Sequence, residues 1–447
     1  MLGYTEDRML FRPTDDSPEL AHTPYRVRGG DPLGLPSLKE QLETDIAIVG
    51  GGIAGCSAAL HAVEAGAKVA LVEGQSIGWG ASSRNAGHLP AATKHEPEEV
   101  VRLYGKTFGP RIVDASENGP RTVEAIADHY GIECELMFPG IITAAHTVEA
   151  LDGLKHRVDY WQKRGRPLEL LDRPTLASML GSSFYLGGAI DRRGGSINPL
   201  AYVRGLARAA LKKGAYLYEN ARAQSLQRDG DKWVVRTADG FIRADKVFLC
   251  TNAYTDDLWP GLRQTVIPVR TIQFTTKPLS DNLLKTILPG RQPMIDTRRV
   301  LISVRIHRDG RLHFGCGPSM LAGSAPRWQS ARARLQEIFP QLADVEFDDC
   351  WPGWMAFNKA DSWQIHTLAP GVFAALGCNG RGVALATIYG RDLARHAMGT
   401  PASELTLPMT PLDPVGMHAF SGMGAAAIVQ WRRMRDAIEM RRLKAKI

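Results

Sequence analysis

"LETDIAIVGGGIAGCSAALHAVEAGAKVALVE", residues 42–73, sets two short apolar runs on either side of a glycine cluster and a stretch of small side chains. Asp45 to Val49 suits a buried strand, Ile53 to Ala65 a closely packed helix, and "KVALVE" a second strand ending in Glu73. Gly50, Gly52 and Gly55 stand between strand and helix in the order GxGxxG. That context turns a weak glycine pattern into a dinucleotide fingerprint. Gly50 permits the tight turn, Gly52 lets the backbone approach a pyrophosphate, and Gly55 lets helix and strand pack closely. The helix start offers N–H groups to phosphate. Glu73 suits an adenosine ribose and argues against a 2′-phosphate. The motif alone does not choose between NAD and FAD.

The chain has 447 residues, 44% hydrophobic and 23% charged, enough for two or three domains and not the composition of a disordered or fibrous protein. Cysteines at 56, 134, 250, 316, 350 and 378 form no CxxC pair, so reduced, buried thiols are expected. The amino terminus has no apolar signal core, and no stretch is long enough to span a bilayer. These features point to a cytoplasmic protein. The net charge of +7 is spread along the chain rather than gathered in one run, so no nucleic-acid partner is expected. The tail, 429–447, is basic and helix-compatible, with Trp431, Met434, Ile438 and Met440 among Arg and Lys. It either packs on its own protein or makes a peripheral contact with anionic lipid.

The next stretch, "IGWGASSRNAGHLPAA" (77–92), crowds small residues and donors at Ala81, Ser82, Ser83, Arg84 and Asn85, followed by Gly87 and His88. Such a loop can lay hydroxyl, guanidinium and amide groups against a pyrophosphate and then run beside a ring system. Its "GWGASSRNAG" resembles the GxGASxRNxG segment of the glycine oxidase and D-amino-acid oxidase superfamily, most closely the gamma-glutamylputrescine oxidoreductase-like branch. The resemblance covers about 40–400. It implies an α/β fold with a Rossmann-like FAD-binding domain and an antiparallel-sheet substrate domain that roofs the flavin. FAD is expected, held without a covalent bond.

Further segments follow the same pattern. Residues 97–130 read as helical, with glycines placed to cap. Pro199 opens a helix that Gly214 ends, and "AYLYE" reads as a parallel strand. Gly195, Asn198 and Pro199 match the superfamily's G-x-x-N-P, Ala223 falls where relatives turn backbone toward adenine, and "CTNAYT" (250–255) matches a turn near the cofactor. The FAD domain is expected from 42–130, 190–264 and 355–400, and the substrate domain from 131–189 and 265–354. An arm (1–41) and a basic extension (401–447) flank them. The roof is expected as half-buried alternating strands from about 265 to 350. Arg305 there is either an anchor for a substrate carboxylate or a solvent-facing strand arginine.

The loop "GCNGRG" (377–382) corresponds to the superfamily's GxSGxG or GxNGxG, giving Asn379, Gly380, Arg381 and Gly382 a place against the flavin pyrimidine. Arg381 would stabilise negative charge there, with substrate binding or a surface ion pair as its other readings. The implied reaction removes a hydride equivalent from carbon beside nitrogen in an amine or amino acid. Electrons then pass to O2 or another acceptor. His88 is either near the flavin, where it influences protonation, or structural. Trp354 takes the position of the cysteine that tethers flavin in some relatives, and with Met355 and Phe357 it either lines a pocket or fills a core. No zinc spacing stands out, so no metal is expected. A membrane-associated dehydrogenase and a flavin-binding subunit of a larger complex are the alternatives.

Overall fold

The computed structural model describes residues 12–318, 328–359 and 361–444. The strand Gln41–Val49 is the centre of a nine-stranded sheet. It pairs in parallel with Val69–Val72 on one side and Phe241–Leu249 on the other. Tyr216–Tyr218 and Val372–Ala375 extend the parallel set outward. Val69–Val72 and Val372–Ala375 are buried along their whole length, as strands covered on both faces must be. The helices Ile53–Glu64, Pro199–Lys212 and Gly382–Ala397 share one apolar core with this sheet. Two of them cross so closely that a Cβ at Gly390 would lie 2.4 Å from the Ala54 carbonyl oxygen. The "RTADGF" segment turns the hairpin Lys232–Arg236 into Phe241–Leu249.

The roof is an eight-stranded sheet in the order Phe347–Asn358, Val266–Pro278, Arg311–Pro318, Ser303–Ile306, Met294–Asp296, Ile141–Ala145, Gly187–Asp191, Leu168–Leu171. Its pairs are antiparallel except one, Met294–Asp296 with Ile141–Ala145, so the sheet is mixed where an antiparallel one was expected. The strand Phe347–Asn358 runs across the boundary placed at 354/355. Ser303–Ile306 is buried on both faces rather than half-exposed. One face, with Ile272, Phe274, Val304, Ile306, Leu312 and Phe314, packs on the roof's own helices. The other turns toward the parallel sheet.

Gly131 caps Gly119–Tyr130 in the left-handed conformation at φ 62°. Gly105, expected at a helix end, instead interrupts Pro97–Glu117 with φ 73°, ψ 174°. The flanking pieces are not peripheral. Tyr25 and Leu38 of the arm are buried, Met409–Thr410 joins the large sheet, and the helix Ser421–Lys444 lies against the roof strand Val266–Pro278.

Candidate active site

Between the two sheets lies a cavity of about 2030 Å³, larger than one small-ligand pocket of roughly 300–1,000 Å³ and roomy enough for a dinucleotide and a substrate together. Gly50 and Gly52 form its floor at the carboxyl end of Gln41–Val49. Gly50 has φ 109°, and a Cβ there would meet the Cys250 carbonyl oxygen at 2.7 Å. At Gly55 a Cβ would lie 1.9 Å from the Gly50 oxygen, so this glycine is required by packing and does not face the cavity. Gly52 differs: only Ser82 Oγ is near, at 3.1 Å, where it accepts from Ile53 N, and Gly52 itself puts no side chain over the remaining N–H groups of the helix start. An open helix start over a side-chain-free floor fits a pyrophosphate. Glu73 accepts hydrogen bonds from Gly51 N at 2.6 Å and Gln75 N at 2.9 Å while lining the same cavity. Burial raises its pKa, with the backbone hydrogen bonds opposing. Ala223 lies along this end of the wall.

The loop 80–88 divides its labour. Ala81, Ser82, Arg84, Asn85, Gly87 and His88 line the cavity. Ser82 Oγ accepts from Ile53 N at 3.0 Å, and Asn85 accepts from Gly87 N at 2.8 Å, which holds the turn. Ser83, expected among the cofactor donors, is absent from the wall: it is buried and its hydroxyl points to the Trp79 and Gly80 carbonyls. Arg84 is not free for a phosphate either. It pairs with Asp16 of the amino-terminal arm at 2.9 Å, both nearly fully buried, donates to the Trp79 carbonyl oxygen at 3.0 Å, and lies over the Trp79 ring. Tyr254 also donates to Asp16. The arm thus neutralises a charge that the loop motif alone would assign to the ligand.

Arg305 is neither a substrate anchor nor solvent-facing. It is buried away from the cavity wall, and its Nη1 donates to the carbonyls of Ile197 at 2.9 Å and of Ala86 and Gly87 at 3.2 Å. It braces the loop from behind. His88, by contrast, faces the cavity, its Nε2 buried and without a partner. Burial, with Arg305 adding, pushes its pKa down to about 3. It is a neutral imidazole at ordinary pH.

At the other end, Asn379, Gly380, Arg381 and Gly382 line the cavity. Asn379 is buried and fixes the loop to the roof: it accepts from Asn358 N at 3.1 Å and donates to the Ser362 carbonyl oxygen at 3.1 Å. Gly380 has φ 81°, and a Cβ at Gly382 would meet nothing within 4 Å. Burial, with Arg157's like charge adding, lowers Arg381 to about 10, while Asp361 opposes; it stays cationic at neutral pH. Arg157, on the helix Val148–Gln162, was not singled out from sequence, yet it shares this wall with Lys94. Neither Arg157 nor Arg381 makes a side-chain hydrogen bond or close ion pair among the described residues, whereas Lys94 is paired with Asp361 at 2.6 Å.

Trp354, Met355 and Phe357 border the cavity, Trp354 being at the same time packed into the core, whereas Trp351 and Trp363 are packed in the protein. Trp351 Nε1 donates to the Arg84 carbonyl oxygen at 3.1 Å. Cys378 lines the cavity, and Cys350 packs toward the roof core.

Residues 45–396 match the model of a family described as FAD dependent oxidoreductase. The chain belongs to that family. It is an FAD-dependent oxidoreductase, and the glycine floor, the open helix start and the cavity-facing loop fit that cofactor. It is 33% identical over 90% of its length to a probable oxidoreductase OrdL of Rhizobium meliloti, covering 94% of that protein. It is 30% identical over 87% of its length to gamma-glutamylputrescine oxidoreductase of Escherichia coli, covering 93%. The family is therefore clear, and the narrower gamma-glutamylputrescine branch is not singled out. The glycine oxidase structure from Geobacillus kaustophilus superposes with a TM-score of 0.68 at 22% identity, over 79% of this chain and 95% of that one, which speaks for the fold.

Proposed function

We propose that this FAD-dependent oxidoreductase, which acts on the CH–NH bond of an amine or amino acid, holds its substrate by a carboxylate between Arg157 and Arg381. The observation that carries the proposal is two guanidiniums on one cavity wall, neither in a side-chain hydrogen bond or close ion pair among the described residues, with Asp361 and Glu96 acting on them only from a distance. Unpaired cations in a partly desolvated site are costly unless a ligand completes them. A carboxylate does so with charge-assisted, fork-shaped hydrogen bonds. Trp354, Met355 and Phe357 supply apolar surface for the carbon chain.

When bound, FAD supplies the hydride acceptor for the carbon beside nitrogen, and the imine left on the substrate hydrolyses to a carbonyl compound and an amine. The neutral His88 adds no positive charge against the reacting amine. The floor at Gly50 and Gly52 would hold the cofactor at one end and the Asn379–Gly382 loop would do so at the other, without a covalent bond. The gamma-glutamylputrescine named for the E. coli relative carries a carboxylate at one end and an amine at the other, the kind of molecule this pair fits. Electrons leave to O2 or to another acceptor in the cytoplasm. A membrane-associated dehydrogenase is the second reading, favoured by the basic helix that walls the cavity.

The test is a steady-state comparison of amines with and without a carboxylate, in the native enzyme and in Arg157→Leu. The variant is expected to raise KM for carboxylate substrates about 10- to 100-fold, the loss of a charged hydrogen bond. FAD content and turnover of neutral amines stay as in the native enzyme. An unchanged KM removes Arg157 from the substrate site.

A further inference from the structure

The helix Ser421–Lys444 has two apolar sides. Its inner side packs Ala426 against Val269, with Met355 and Phe357 beside them. Arg433 donates from it to the Pro318 carbonyl oxygen at 2.6 Å. Arg299 of the roof forks onto Glu439 at 2.7 and 2.8 Å and reaches Asp436 at 3.1 Å. Asp436 also accepts from the backbone N–H groups of Arg299 and Val300. His146 stands 3.8 Å from Glu439, but Arg299 already occupies these carboxylates, which leaves no convincing metal site.

The outer side is the unusual one. Ala427, Trp431, Met434 and Ile438 recur at three- and four-residue spacing, the period of a single helix face, and Met423, one turn before them, stands where that face meets the cavity. Met423 is 45% exposed, Trp431 51%, Met434 54% and Ile438 38%, and Phe420 just before the helix is 60% exposed. Arg432, Arg435 and Arg441 are exposed along the same helix, with Arg435 over the Trp431 ring. The only two acids among the helix's residues, Asp436 and Glu439, are the ones tied inward to Arg299. Every charge offered outward is therefore positive. The same element closes the cavity: Ser421, Gly422, Met423 and Arg432 are part of its wall.

We propose that this outer face seats the enzyme on an anionic lipid surface, with Trp431, Met434 and Ile438 in the headgroup boundary and Arg435 and Arg441 on lipid phosphates. Among the described residues no helix is long and apolar enough to cross a membrane, so the contact is interfacial. An aromatic and aliphatic stripe flanked by arginines is what such a boundary binds. A second copy of the chain is a poorer occupant: an isologous contact would set arginine against arginine, and the helix has no free carboxylate to answer them. Because the helix walls the cavity, the seat brings the cavity mouth toward the lipid. The proposal rests on this helix alone and stands whichever substrate and acceptor the enzyme uses.

The test sediments the full-length FAD-loaded protein with phosphatidylcholine vesicles, pure or mixed with phosphatidylglycerol, at low and high salt. Binding is expected only to the anionic vesicles, weakened by salt. Trp431→Ser combined with Met434→Ser is expected to keep flavin content and soluble-substrate turnover but lose about tenfold or more in vesicle affinity, the cost of withdrawing two large apolar side chains. Arg435→Glu with Arg441→Glu gives an independent loss through charge. No binding to anionic vesicles overturns the proposal. So does equal binding by the serine variant, which means adsorption by charge alone, or a native dimer that the serine variant dissolves, which gives the face to a second copy.

Discussion

The two sheets that enclose the cavity meet it in different ways. The parallel sheet is apolar along its strands and does its polar work in the loops at their carboxyl ends, through backbone and glycine. The roof builds polar residues into the strands themselves: Thr271, Gln273, Ser303, Arg305 and His313 alternate with Ile272, Phe274, Val304, Ile306 and Phe314. On the first side, space is what matters, and a single added carbon is the damaging change. On the second, hydrogen bonds and charge matter, and the damaging change is one that leaves a buried polar group alone.

The strongest test of that contrast lies within one motif. Gly55→Val places a Cβ 1.9 Å from a backbone oxygen, which no side-chain movement relieves, so soluble, folded protein should be lost. Gly52→Val meets only Ser82 Oγ and should fold, yet retain little FAD because its branch occupies the pyrophosphate approach. Circular dichroism and the flavin-to-protein absorbance ratio of the two variants separate the outcomes. A folded Gly52→Val protein with stoichiometric FAD would remove the floor from the cofactor site.

The parallel half was legible because its constraints are local. A strand, a glycine turn and a helix within Asp45–Glu73 carry their own spacing, and Gly377–Gly382 before a helix repeats the device. The surroundings of Arg84 and Arg305 were not legible because their partners are remote in sequence, whereas Ser83 turns to the nearby Trp79 and Gly80 carbonyls. Asp16 is 68 residues from Arg84, and the Ile197 carbonyl is 108 from Arg305. Nothing in a strand's alternation says whether its outward side meets water or a second domain. Arg157 left no signal at all: on a helix whose neighbours are charged, it reads like any exposed arginine until the cavity wall is assembled.

Arg305 gives the roof's counterpart to the glycine test. Arg305→Met keeps the stem but leaves the carbonyls of Ala86 and Ile197 without this donor, while the Gly87 carbonyl still accepts from Ile197 N at 2.8 Å. Each buried unsatisfied group costs about 1–3 kcal/mol, and relief of the buried charge offsets part of the sum, so a loss of about 3 kcal/mol is expected. Urea unfolding at neutral pH measures it. If Arg305 instead held substrate, KM would rise while the unfolding midpoint stayed in place, and the division between bracing and binding arginines drawn here would fail.

The smallest effect concerns His88, which pairs with Ser196 in a separate two-stranded sheet and faces the cavity. Its pKa is about 3 in the fold, depressed by burial, against about 6.5 in an unfolded chain. The stability it contributes as a neutral ring is complete above the unfolded value. It drains away as pH falls from about 6.5 toward 3, because the unfolded chain takes up a proton that the fold refuses. At pH 5 that loss is about 2 kcal/mol. His88→Gln cannot titrate, so the native protein should lose about 2 kcal/mol more than the variant between pH 7 and pH 5, with FAD in equal excess. The other buried histidines, His307 and His313, remain in both proteins and cancel in the difference. An identical pH dependence in the two would mean that His88 can be protonated in place, and its imidazole would then stand as a candidate for proton transfer at the reacting amine.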